Sequence, residues 1–144
     1  MTRLTQIASL TFIAIIALPC LPEASAAETK KEPDIKRGEY LVKNVTMCAD
    51  CHTPRDQKGQ FVEGQWLMGS TLTFAPTVPM PVWANVATPL AGLPTFATDE
   101  EAIALLMTGK RPSAPMPPRP PMPTFQMNHE DASDVVAYLR SLKK

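Results

Sequence analysis

The stretch Cys48-Ala49-Asp50-Cys51-His52 determines how this chain is interpreted. Two cysteines separated by two residues and followed at once by a histidine form the attachment pattern of a c-type haem. The thiols can add across the haem vinyl groups as thioethers, and the imidazole can then bind the iron. We therefore predict one covalently bound haem c, held by Cys48 and Cys51, with His52 as an axial ligand of the iron.

Three other interpretations of the same residues stay open. A closed zinc site needs four protein ligands, and only His129 and Cys20 could complete one. A thioredoxin-like redox pair should follow a strand in a βαβ pattern, and no Val- or Ile-rich strand precedes Cys48. A structural disulfide would leave the adjacent histidine unexplained. The haem interpretation accounts for all three side chains.

The first residues have the pattern of a secretory signal. Arg3 supplies a positive start, an apolar stretch follows at 7–18, and small residues at 24–27 suit a cleavage site. We predict a signal peptide at 1–27, export to the periplasm and a mature domain at 28–144. An uncut segment would instead hold the protein at a membrane, and lipid attachment at Cys20 is disfavoured by the proline before it.

Composition limits the possible partners. The chain of 144 residues has 14 Lys and Arg against 14 Asp and Glu, so its formal net charge is zero and nothing indicates nucleic-acid binding. Residues 28–144 contain two cysteines, both within the motif, which leaves none for a disulfide framework. A domain of this length buries a modest core, and the haem would supply much of it.

Three helices are predicted by apolar spacing and by capping residues. They run over about Asp34–Met47, Asp99–Thr108 and Glu130–Leu142. Asn128 is the expected N-cap of the last helix. Gly38 falls inside the first helix, where glycine costs about 1 kcal/mol relative to alanine, so we expect it to serve a close packing contact.

Seven prolines fall between Arg111 and Pro123 and exclude both helix and sheet. This segment, here called the proline strap, should be extended and stiff. We expect it to cross one face of the haem and to present a methionine there. The remaining apolar wall of the haem pocket should include Trp66, Leu72 and Val86.

The second axial ligand must come from outside the attachment motif, and methionine and histidine are the usual choices. The candidates in the mature chain are Met47, Met68, Met80, Met107, Met116, Met122, Met127 and His129. An unbranched thioether on a stiff segment can be held against iron at little entropic cost. We therefore favour Met122, followed by Met116 and then Met80.

Three segments together resemble a class I cytochrome c. They are residues 37–42 with the attachment motif, Asn85 with 99–109, and the methionine segment 121–127 with the helix that follows it. The likeness is greatest to the haem modules in cytochrome subunits of bacterial membrane-bound alcohol and gluconate dehydrogenases. Those subunits typically carry three such modules, and this chain carries one.

The resemblance implies an all-α fold of three to five helices around one haem, with the first and last helices crossing near Gly38, Tyr40, Tyr138 and Leu139. It implies Met122 as the distal ligand, with Met127 as a further pocket residue. The expected function is a periplasmic monohaem electron carrier, not an enzyme, acting as a monomer or small subunit. A dehydrogenase would be its donor, and an oxidase or another cytochrome its acceptor.

Two alternatives to a free carrier follow from the same residues. The chain could be the electron-accepting subunit of a larger dehydrogenase or oxidase complex. It could instead be a gas-binding or peroxidatic haem protein with an open distal site, although the methionines of the proline strap argue against this.

Overall fold

The computed structural model describes residues 31–114 and 116–142. The predicted signal peptide, 1–27, lies outside these residues, so it stays a prediction, as does the domain boundary after it. No helix in the described part of the chain is long and apolar enough to cross a membrane.

Most of the regular secondary structure in the described residues is helical, which confirms the predicted all-α fold. The elements are α1 (Ile35–Tyr40), a π-helical segment (Leu41–Val45), α2 (Ala49–His52), β1 (Ser70–Thr71), β2 (Val86–Ala87), α3 (Asp99–Thr108) and α4 (His129–Ser141). The two strands, which sequence patterning did not predict, pair antiparallel with Ser70 opposite Ala87.

Each of the three predicted helices begins at a polar cap. The side chain of Asp34 accepts hydrogen bonds from two backbone N–H groups of α1. Thr98 accepts one such bond from Glu101 of α3, and Asn128 accepts one from Asp131 of α4, which satisfies donors that have no partner inside the helix. The left-handed Gly109, with φ of 69°, ends α3 where expected.

The first helix departs from its predicted course after residue 40. The N–H of Thr46 bonds to the carbonyl of Leu41, five residues back, and this widens the helix into a π-helical turn. Met47 then takes a left-handed backbone conformation, with φ of 48°. This conformation ends the helix two residues earlier than predicted and starts the attachment motif in a new direction.

The last helix, α4, contributes the largest share of the buried core, and the first helix, α1, packs across it. A Cβ atom on Gly38 would lie 1.9 Å from the carbonyl oxygen of Asp134 and 2.9 Å from Cβ of Tyr138. The glycine therefore serves the close contact that was predicted for it. Tyr138 is buried at this crossing, whereas Tyr40 is 58% exposed, so the expectation that Tyr40 joins the contact is not met.

A buried carboxylate fixes the same two helices. Asp134 is 1% exposed and accepts a hydrogen bond of 2.7 Å from the N–H of Asp34 and one of 2.8 Å from Arg37. Arg37 also pairs with Asp131, one turn earlier on α4. Since both helices contribute to this cluster, their relative position is set by directional contacts as well as by apolar packing.

Candidate functional site

The attachment motif opens onto a cavity of about 400 Å³. Cys48, Cys51 and His52 line it from α2 and its cap, and Met116 and Met122 line it from the proline strap. A volume of this size lies within the range of roughly 300–1,000 Å³ found for small-molecule and cofactor sites. The fold therefore brings the predicted attachment residues and the two favoured distal ligands to one cavity.

His52 is held in one orientation by a main-chain group. Its Nδ1 donates a hydrogen bond of 2.7 Å to the carbonyl oxygen of Thr88, which follows β2. Because a carbonyl can only accept, Nδ1 carries the proton and Nε2 keeps its lone pair. Burial lowers the pKa of His52, while the Thr88 carbonyl acts in the opposite direction. The neutral imidazole with a free Nε2 is the form that binds a metal ion.

The two cysteines of the motif are free thiols. Cys48 caps α2, and its Sγ lies 3.1 Å from the hydroxyl of Thr46. Burial raises the pKa of Cys48, and burial together with the nearby Asp50 raises the pKa of Cys51. Reactive thiol pairs of the thioredoxin kind have lowered pKa values. The surroundings therefore do not favour a redox-active dithiol.

The zinc interpretation is not supported by residues 31–114 and 116–142. In this part of the chain, no group of three or more His, Cys, Asp or Glu side chains is placed to hold a metal ion. A closed zinc site needs four such ligands. His129 lies at the start of α4, where its Nδ1 is 3.3 Å from the hydroxyl of Ser133. Cys20 lies outside the described residues.

The methionines divide into groups by position. Met122 is partly buried at the cavity, whereas Met116 and Met47 line it but are 61% and 56% exposed, and Met47 directly precedes the attachment motif. Met80 lies on an exposed loop and does not contribute to the described cavity wall. Met107 packs against the core, and so does Met127, which the resemblance had implied as a pocket residue. These positions favour Met122 as the distal ligand, and that role stays a prediction.

Leu72 and Val86 line the cavity as predicted, but Trp66 does not. Trp66 packs against the core, and its Nε1 donates a hydrogen bond of 3.1 Å to the hydroxyl of Tyr138 on α4. This hydrogen-bond partner, Tyr138, lies 72 positions after Trp66 in the chain. Hydrophobicity alone could not distinguish these two environments.

Arg111 is a cavity residue that the sequence patterns did not identify. Its guanidinium lies 4.7 Å from the ring centre of Phe96, donates to the carbonyl of Thr95 and pairs with Glu101 at 3.8 Å. These contacts fasten the start of the proline strap to α3 and to the segment before it. The only signal in the sequence is a cation placed between a helix end and a proline run.

The lining as a whole is suited to a haem. Two thiols at the spacing of the attachment pattern, an imidazole nitrogen with a free lone pair and a thioether converge on a wall that is otherwise mostly apolar. Next to Ala84 of this wall, the indole Nε1 of Trp83 is buried and has no hydrogen-bond partner among the described residues. Trp83 itself does not line the cavity, so this donor is not part of the site.

Comparisons with known proteins agree with this geometry. The family model described as cytochrome c matches residues 35–143, most of the chain. A protein from Cereibacter sphaeroides named "Diheme cytochrome c-type" is 43% identical over 37 residues, which are 26% of this chain and 12% of that relative. The chain thus spans a small part of that relative's length.

Proposed function

The chain belongs to the cytochrome c family, and from this premise we propose that it is a periplasmic monohaem cytochrome that passes single electrons between redox proteins. Membership of the family makes it an electron-transfer protein with covalently bound haem c and iron. The single haem, the compartment, the ligand set and the partners are the proposed part.

The observation that carries the proposal is the meeting of Cys48, Cys51, His52 and Met122 at one cavity. The chain contains a single Cys-x-x-Cys-His motif, at 48–52, and this supports one haem. A resident haem supplies one-electron chemistry at its iron. Every other task in the site falls to the protein.

Each predicted site residue has one task. Cys48 and Cys51 would hold the cofactor covalently, so it could not leave. His52 would offer Nε2 to the iron, because the Thr88 carbonyl holds Nδ1. Met122 would offer its thioether from the proline strap. These two protein ligands together would leave the iron no open position for a reacting molecule, which supports a carrier and not a catalyst.

The wall of the cavity sets the polarity around the proposed haem. Leu72, Val86 and Phe96 contribute apolar surface that limits water, and a thioether ligand favours the reduced state. Both effects raise the reduction potential. The proposed carrier therefore accepts electrons from a dehydrogenase and delivers them to an oxidase or to another cytochrome.

Export to the periplasm is supported by the signal pattern at 1–27, and covalent haem is attached outside the cytoplasm. The resemblance to dehydrogenase cytochrome subunits supports a second form of the proposal, in which the protein is the electron-accepting subunit of a larger complex. Co-purification at stoichiometric ratio with one enzyme would favour the subunit over the free carrier.

Optical spectra of the exported protein test the proposal. We expect a covalently bound, low-spin haem that ignores carbon monoxide when reduced and shows the weak methionine–iron band when oxidised. A high-spin haem that binds carbon monoxide would favour the gas-binding or peroxidatic alternative. A protein without covalent haem would contradict the proposal altogether.

A further inference from the structure

One side of the cavity is built from a long stretch without charge. Residues 64–98 contain no Asp, Glu, Lys, Arg or His, although the chain as a whole has 28 residues that are Lys, Arg, Asp or Glu. Glu63 precedes this stretch and Asp99 follows it, and Asp99 pairs with Arg140 on α4. The surface that the stretch exposes therefore carries no charged side chain of its own.

The centre of this stretch is a loop between the two strands, residues 73–84, here called the apolar loop. The N–H of Leu72 bonds to the carbonyl of Asn85 at 2.8 Å and closes its base next to the β1–β2 pair. Across the base, Phe74 and Trp83 meet edge to face with ring centres 6.1 Å apart. The N–H of Ala84 also bonds to Pro120 of the proline strap at 2.8 Å. The loop is thus fastened at both ends.

The apolar loop exposes large hydrophobic side chains. Phe74, Val78, Met80 and Val82 are between 42% and 64% exposed. Three prolines, at 76, 79 and 81, stiffen the backbone that presents them. A stiff apolar surface loses little conformational entropy on binding. Apolar groups gathered in this way are typical of a surface that contacts another macromolecule.

The apolar loop is continuous with the cavity. Leu72 before it and Ala84 at its end both line the cavity wall. A protein seated on the loop is therefore placed beside the site that holds the redox centre.

We propose that the apolar loop is the docking surface for a redox protein whose own contact face is uncharged and apolar. This inference rests on the proposed electron-carrier function. Charge complementarity identifies the partner, because a charged face would lose its hydration against residues 73–84 and gain no opposite charge there. Association through such a surface depends little on ionic strength.

A lipid surface is the less suitable occupant. Peripheral binding to anionic bilayers draws on lysines and arginines near the inserted side chains. The apolar loop and the uncharged stretch around it contain none, and the exposed Arg119, next to the Pro120 that bonds to Ala84, adds a single cation at the base of the loop. A second copy of the chain, by contrast, carries the same uncharged and apolar loop, which is the contact face that the proposal requires of a partner. A second copy therefore serves as the probe.

The test is electron self-exchange in the holoprotein, measured by NMR line broadening in mixtures of oxidised and reduced protein. One electron leaves the reduced copy and enters the oxidised copy, and no bond forms or breaks. The test variant is Val82→Lys, supported by Val78→Lys. Ile35→Lys is the matched control, because Ile35 is exposed to a similar degree on α1 and adds the same charge away from the loop.

We expect the wild-type rate to change less than about twofold between ionic strengths of about 0.01 M and 0.15 M. At the lower value Val82→Lys should slow self-exchange by about tenfold, because the two lysines repel each other, and added salt should restore the rate. Ile35→Lys should behave like the wild type.

Equal rates in Val82→Lys and Ile35→Lys would overturn the docking proposal while leaving the electron carrier intact. Flotation with vesicles of phosphatidylethanolamine and phosphatidylglycerol tests whether the loop binds a lipid surface instead of a protein. Vesicle binding that Val82→Lys abolishes, with self-exchange unchanged, would assign the loop to a membrane and overturn the proposal. A holoprotein that cannot be cycled between two oxidation states would instead refute the proposed function itself.

Discussion

Gly38 lies directly against the main-chain carbonyl of Asp134, so close that a Cβ atom would stand 1.9 Å from the oxygen. The contact lies at the crossing of the first and last helices, and the side chain of the same Asp134 accepts hydrogen bonds from Asp34 and Arg37. The helices can approach this closely only because residue 38 has no side chain.

Gly38→Ala should therefore destabilise the protein, although alanine is the better helix former. Helix propensity alone would stabilise the variant by about 1 kcal/mol. The overlap with Asp134 forces the helices apart and should cost about 1–3 kcal/mol net. Urea denaturation measures the free energy of unfolding. Lys36→Ala, on the exposed surface of α1, is the control and should change it by less than about 0.5 kcal/mol. A more stable Gly38→Ala protein would refute the packing argument.

Gly69→Ala should weaken the hydrogen bond between His52 and the carbonyl of Thr88 by displacing the residues on either side of Thr88. A Cβ atom on Gly69 would lie 2.9 Å from the carbonyl oxygen of Ala87 and 3.0 Å from the nitrogen of Pro89, which flank Thr88. Displacing this segment weakens the hydrogen bond to Nδ1, which makes the imidazole a poorer donor to iron and should raise the reduction potential.

The matched control for Gly69→Ala is Gly59→Ala. Gly59 has a similar positive φ of 79° but no neighbour within 4 Å of an added Cβ. Both variants carry the backbone strain, and only Gly69→Ala moves the Thr88 carbonyl. Redox titration and urea denaturation of both separate the two effects. An equal potential in the two variants would show that the Thr88 bond does not tune the site.

Met122→His tests the identity of the distal ligand. Imidazole in place of a thioether lowers the reduction potential of a haem. We expect a fall on the order of 0.1 V, within the roughly 0.8 V over which axial ligands set haem potentials. The methionine–iron band of the oxidised protein should also vanish. Met116→His should leave both unchanged, and the reverse pattern would assign the ligand to Met116.

Arg111→Ala should loosen the proline strap. The guanidinium joins the strap to Phe96, Thr95 and Glu101, so its loss allows the methionine segment to open more often. A loss of about 1.4 kcal/mol in this anchoring makes the open form tenfold more populated. Titration of the oxidised protein with imidazole should then show about tenfold tighter binding. Lys110→Ala, the neighbouring exposed cation, should bind imidazole like the wild type.

Low pH should weaken the ion pair between Glu101 and Arg111 that helps to anchor the proline strap. The pKa of Glu101 is lowered from its usual 4.5 by the Ser113 hydroxyl first, and also by the Ala97 N–H and Arg111. The stabilisation from this carboxylate is therefore complete above pH 4.5 and is lost as the pH falls through the lowered pKa. The methionine–iron band should weaken below pH 4.5, and Glu101→Gln should flatten this dependence. Glu100→Gln should keep the wild-type profile.

The helix positions could be predicted because their signals are local. Asp34, Thr98 and Asn128 each bond to backbone groups within three residues, so a short window of sequence contains both partners. The π-helical turn could not be predicted in this way, since its hydrogen bond from Thr46 to Leu41 is marked by no capping residue or change of apolar spacing. The two strands are two residues long and carry no periodicity.

The candidate site, like the helices, was predictable only where the residues concerned are close together in sequence. The attachment motif is local, so Cys48, Cys51 and His52 could be identified at once. The partner of His52 could not, because it is a main-chain carbonyl at Thr88, 36 positions further on. Arg111 was missed for a related reason, since its contacts join a helix end to the separate segment at Thr95 and Phe96.

The packing of α1 against α4 also has a consequence for the order of events during biogenesis. Translation delivers a chain from its amino end, so residues 35–52 emerge long before α4 at 129–141. The core cannot close until this last helix arrives, because half of its central crossing is missing. Throughout that interval the thiols of Cys48 and Cys51 are exposed on an open chain, and once α4 is in place they can be reached only through the cavity that they line.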